Sequence, residues 1–68
     1  MSDIDEAIMR KLAYLRKRHP DEKAVRNGYN KSCCEYAASV IEGFGTSVMH
    51  YAEREAWRMY ATENGIVL

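Results

Sequence analysis

The sequence predicts an all-α fold: a small bundle of three or four helices in one domain, 1–68, completed by homodimerisation. Apolar residues recur at spacings of three and four, no stretch alternates as a strand does, and helix-start and helix-stop residues punctuate the pattern. Size is the argument for a second subunit. A chain of 68 residues buries only about 60% of the surface its unfolded form exposes. Chains this short draw extra stability from disulfides, a metal or a partner.

The first helix is expected over 3–18. Ser2 is a good N-cap, and Asp3, Asp5 and Glu6 occupy the first turn, where the helix dipole favours acid. Arg16, Lys17, Arg18 and His19 occupy the last turn, where it favours base. Ile4, Ile8, Leu12 and Leu15 form a narrow apolar stripe, and Lys11, inside that arc, is expected to snorkel along it. Pro20 ends the helix, because the residue before a proline is pushed away from helical geometry.

Residues 20–45 are the hardest to assign. Pro20-Asp21-Glu22 is itself a helix start, with Ala24 and Val25 as apolar contacts, and Asn27-Gly28 is a common helix stop. Ser32 and Glu35 have the spacing of a capping box, which opens a further helix presenting Cys33, Tyr36, Ala37, Val40 and Ile41. The pattern thus favours helices over 20–27 and 32–42 with a joint at 28–31. Val25, Tyr29, Ser32 or Cys33, Tyr36 and Val40 also carry the period of one continuous helix. An interior glycine costs a helix only about 1 kcal/mol, so that alternative stays open.

Gly43-Phe44-Gly45 is a boundary, and Thr46 or Ser47 caps a last helix over 47–63. Asn64-Gly65-Ile66 closes it, with Ile66 placed to touch Tyr60 or Ala61. Met49, Ala52, Ala56, Met59 and Tyr60 form its apolar stripe, bordered by Val48 on one side and by His50 and Trp57 on the other. So wide an arc predicts a second packing surface. We assign the dimer interface to His50, Trp57, Tyr36 and Val40.

Residues 20–39 resemble a helix-turn-helix, in which a small residue faces a glycine four positions on, here Ala24 and Gly28. The string Ala24-Val25-Arg26-Asn27-Gly28-Tyr29, followed by Asn30-Lys31-Ser32, is similar to that motif in phage terminase small subunits. The similarity covers about twelve residues and implies a DNA-binding protein of phage or mobile-element origin. Arg16, Arg18, Lys23, Arg26, Lys31 and Ser32 would then meet nucleic acid. The chain departs from the pattern in its would-be recognition helix. That helix has no Arg or Lys beyond its first turn, and it carries Glu35, which repels phosphate.

The charges balance at ten basic and ten acidic residues, but the middle of the chain is basic and its flanks acidic. A basic centre can bind phosphate or an acidic surface, or pair with its own ends. The adjacent pair Cys33 and Cys34 offers no disulfide framework, so reduced thiols and a cytoplasmic location are expected. No apolar run approaches the length of a membrane span.

Cys33, Cys34, His19 and His50 lack the spacing of a zinc site, since adjacent helical residues point apart. No nucleophile motif, paired-acid signature or phosphate loop is present. We therefore expect no enzyme, no cofactor, no metal, no small-molecule substrate and no membrane partner. The last helix instead carries Tyr51, Arg54, Trp57, Arg58 and Tyr60, and Trp, Tyr and Arg dominate binding energy at protein interfaces. The function expected is occupancy of a protein partner by a non-enzymatic regulator, inhibitor or adaptor. The alternative is a dimeric helix-turn-helix DNA-binding protein.

Overall fold

Three helices account for the architecture: α1 (Asp3–Arg18), α2 (Glu22–Glu42) and α3 (Ser47–Glu63). The structure, a computed structural model, describes residues 3–42 and 47–68. The expected caps at Ser2 and Thr46 and the Gly43-Phe44-Gly45 boundary lie outside them. Helices α1 and α2 each lie along α3 and do not approach one another closely. The result is a flat bundle of 33 × 26 × 16 Å by its Cα atoms.

Helix α1 keeps its expected bounds, with Leu12 and Leu15 fully buried and Ile4 and Ile8 half-buried. It ends as His19 takes a left-handed φ of 52° and donates its N–H to the Leu15 carbonyl at 2.9 Å. Histidine is among the residues that tolerate this conformation. Asp21 then caps α2, its Oδ1 accepting the Ala24 N–H at 2.8 Å. Pro20 therefore stands just outside the helix rather than at its first position.

The joint expected at 28–31 is absent: α2 is one helix from Glu22 to Glu42. Gly28 has a packing role in place of a turn. The benzo ring of Trp57 lies on its backbone, and a Cβ there would fall 2.7 Å from Cη2 and nearer still to Cε2 and Cζ2. Only glycine lets the indole reach the helix axis this closely. Ser32, read as a cap, is an interior helical residue only 3% exposed. Val25, Ser32 and Ser39 are buried at every seventh position, so the seam against α3 is made largely of small residues. Ala37, Val40 and Ile41, which the sequence places on the presented face of this segment, are exposed.

Helix α3 ends as its sequence indicates. Gly65 has φ 69°, the Ile66 N–H bonds the Ala61 carbonyl at 2.8 Å, and the Gly65 N–H bonds Thr62 at 3.3 Å. This is a Schellman closure, and Ile66 packs against the core as expected. The stripe, however, is displaced from its Met residues: Met49 is 62% exposed, while Ala61 is buried with Ala52, Ala56 and Tyr60. Alanines line α3 because it must accommodate a neighbour on each of two sides.

Leu12, Leu15, Val25, Ala56, Tyr60 and Ala61 form the core, with Ile8, Trp57 and Ile66 packed on it. Each fully buried Leu contributes about 1.5–3 kcal/mol, and there are few such side chains. Polar contacts add to it at the rim. Arg16 Nε donates to Glu63 Oε1 at 3.0 Å, and its second nitrogen bonds Glu63 Oε2, tying the end of α1 to the end of α3. The basic middle thus pairs in part with the acidic C-terminal region.

Two tests follow from these contacts. Gly28→Ala gains about 1 kcal/mol of helix propensity but inserts a Cβ against the indole, at an overpacking cost of about 1–3 kcal/mol. Urea unfolding is expected to show net destabilisation. In a Trp57→Leu background the same substitution should become neutral or stabilising, because the opposing ring is gone. The second test concerns pH. The Arg16 hydrogen bonds, then its charge, hold the Glu63 carboxyl below its usual pKa. A depressed folded pKa gives stability that is present above the ordinary carboxylate range and is lost as pH falls through the folded value. Glu63→Gln should therefore lower Tm at neutral pH, and its deficit relative to the parent should shrink on acidification and in high salt.

Candidate functional site

The outer face of the α2–α3 seam concentrates the exposed chemistry of the chain. On α2, Tyr29, Cys33 and Tyr36 are half-buried. On α3, Tyr51, Arg54 and Glu55 are half-buried and Arg58 is exposed. These positions follow from helical period: Tyr29, Cys33 and Tyr36 are one turn apart, as are Tyr51, Glu55 and Arg58.

Arg54 organises the face. Its guanidinium lies 4.9 Å from the centroid of Tyr36 and 5.0 Å from that of Tyr51. The two rings sit 5.7 Å apart with a tilt of 53°. A cation against two aromatic faces contributes about 0.5–1 kcal/mol per ring at such partly exposed sites. Glu55, its side chain 16% exposed, holds the neighbouring cations: Arg58 donates to it at 2.9 and 3.3 Å, and Arg54 Nε lies 3.7 Å away. The bidentate pairing fixes the Arg58 fork geometrically. It also raises the Arg58 pKa, through the Glu55 hydrogen bond first and its charge second. The Cys33 side chain, and then burial, raise the Tyr29 phenol above its ordinary pKa, so the phenol stays neutral.

Of the residues expected to contact a protein partner, Tyr51, Arg54 and Arg58 belong to this face. Tyr60 does not: it is 5% exposed and part of the core. Trp57 is committed within the chain, with its ring on Gly28 and the Lys11 ammonium 5.4 Å from its centroid. Tyr36, assigned to the dimer interface, joins the face through its tilted contact with Tyr51. Trp57 itself is half-buried, so these contacts occupy part of its ring. His50 is half-buried beside Glu35, with Nδ1 3.0 Å from Oε2. Val40 is freely exposed and adjoins Ile41; Val48 and Met49, at the start of α3, are exposed too.

Several of the residues expected to meet DNA are engaged within the chain. Arg16 bonds Glu63, Arg18 lies over the Tyr14 ring at 5.4 Å, and Arg26 bonds Glu22 and the Val67 carbonyl. Lys31 is 3.9 Å from Glu35, and Lys23 is exposed. Ser32 is corrected, being buried in the seam and out of reach of a phosphate. Cys33 is half-buried and Cys34 is exposed.

Sequence reading missed Tyr29 and Glu55. The available signal was position: Tyr29 lies two turns from Tyr36, and Glu55 one turn from Arg58. No helix among the described residues is long and apolar enough to cross a membrane. The chain matches no protein-family model, no curated protein and no solved structure.

Proposed function

We propose that this chain is a non-enzymatic binding protein that occupies a protein partner through Tyr36, Tyr51, Arg54 and Arg58. The observation that carries this reading is the pre-set geometry of Arg54 between two tyrosine rings. Side chains already ordered in the free protein lose less entropy on binding. Tyrosine and arginine are also the types that anchor interfaces. The acid beneath them, Glu55, leaves a mixed surface rather than a uniformly basic one, which favours a protein over a phosphate backbone.

Self-association belongs to the same proposal. Val40, Ile41, Val48 and Met49 place exposed apolar side chains at one end of the α2–α3 pair, Ile41 being 85% exposed. A second copy covering them would supply burial that a flat bundle lacks. The work of the protein is then regulation, inhibition or adaptation of a protein target. The competing DNA reading loses support from the continuous α2 at 28–31 and the buried Ser32.

Site-specific photocrosslinking in the native host tests the reading. A crosslinker at position 51 should yield one protein adduct, and one at Lys17 should not. Tyr51→Ala and Arg54→Ala should each weaken that complex at least tenfold while circular dichroism stays helical. A duplex-DNA titration in parallel, with mass followed by light scattering, should show a species near twice the 7.8 kDa chain mass and no salt-sensitive complex. Submicromolar, salt-sensitive DNA binding that survives Tyr51→Ala would overturn the proposal.

A further inference from the structure

On the opposite edge of the α2–α3 seam, Glu35, His50 and Glu53 converge. Each is half-buried, and one donor atom from each lies within 4.8 Å of the other two. His50 and Glu53 are one turn apart on α3, and Glu35 reaches across from α2. The His50 Nδ1 is already 3.0 Å from Glu35 Oε2. None of the three belongs to the tyrosine–arginine face.

We propose that Glu35, His50 and Glu53 form a binding site for a borderline divalent transition-metal cation, of which Zn²⁺ is the probe. One imidazole and two carboxylates are a donor set such cations accept. Ligand atoms about 2.0–2.2 Å from a tetrahedral ion stand about 3.4 Å from one another. The observed donor atoms all lie within 4.8 Å of one another, and the two glutamate side chains have terminal rotations with which to reach that spacing. The cation would sit between His50 Nδ1 and Glu35 Oε2, which already lie 3.0 Å apart. Lys31, 3.9 Å from Glu35, is the cation that the metal displaces electrostatically.

The surroundings leave coordination positions open. Glu53 also lines a groove of about 500 Å³ between the N-terminal halves of α1 and α3. Asp3 and Glu6 share that groove with Arg10 and Lys11, and Ala52 and Met49 give it an apolar wall. Three protein ligands beside an open groove are the arrangement of a site that keeps water in its remaining positions. A closed structural site would instead supply all four ligands from protein. Bound metal would fasten α2 to α3 near the ends that the fold leaves least covered.

The test is calorimetric titration of ZnCl₂ into the full chain carrying Cys33→Ser and Cys34→Ser, which removes thiol binding. One equivalent per chain is expected, with a rise in Tm that grows with zinc concentration. Glu53→Gln and Glu35→Gln, which keep side-chain shape and are checked for helicity, should each weaken binding at least tenfold. His50→Ala should abolish it, and zinc should shift the His50 ring resonances in the parent. The absence of saturable binding by the thiol-free chain would overturn the site. So would binding changed less than threefold by both glutamine substitutions.

Discussion

The approach of α2 to α3 rests on one contact, the indole of Trp57 laid on the backbone of Gly28. A side chain at position 28 would hold the helices apart at mid-length, and the small residues along the seam would then face a gap. With glycine there, Ser32 and Ser39 are buried, and Trp57 packs on the core. The same ring meets the Lys11 ammonium from α1, so one side chain touches all three helices. Glycine's weak helix propensity, about 1 kcal/mol below alanine, is small beside the burial of an indole.

Much of this architecture was legible in the sequence because its signals are local. The charge layout and apolar stripe of α1, the proline–aspartate start of α2 and the Asn64-Gly65-Ile66 stop of α3 depend on neighbours within a turn or two. The joint in α2 was misread because Asn27-Gly28 carries the same local signal whether it stops a helix or admits a distant ring. Nothing within α2 reveals Trp57, which is 29 positions away. The buried face of α2 escaped apolar periodicity for a related reason. Beyond Val25 it is built from glycine and serine, whose value lies in their size. A seven-residue recurrence of small or short side chains at 25, 32 and 39 was the available clue.

The candidate surface was partly legible for a compositional reason. Tyr, Trp and Arg gather on α3, and the sequence identifies that helix as the chemically distinctive one. It does not divide those residues between core and surface. Tyr60 and Trp57 go inward because Ala52, Ala56 and Ala61 leave room for them, whereas Tyr51, Arg54 and Arg58 turn toward the outer edge of the seam. The cluster of Glu35, His50 and Glu53 depends on the register between two helices. That register is fixed by the Trp57–Gly28 contact. Both edges of the seam, the tyrosine–arginine face and the carboxylate–imidazole cluster, are therefore positioned by the same packing event.

The most direct measurement of this account is solution NMR of the full chain, read at Gly28. Unbroken helical Cα shifts from residue 22 to residue 42 are the predicted result. With them should come nuclear Overhauser contacts from the Trp57 ring protons to the Gly28 α-protons, and a strong upfield ring-current shift of those α-protons. Coil-like shifts at residues 28–31, with no contact between Gly28 and Trp57, would contradict the account, because the seam and both of its edges would then lack the contact that sets them.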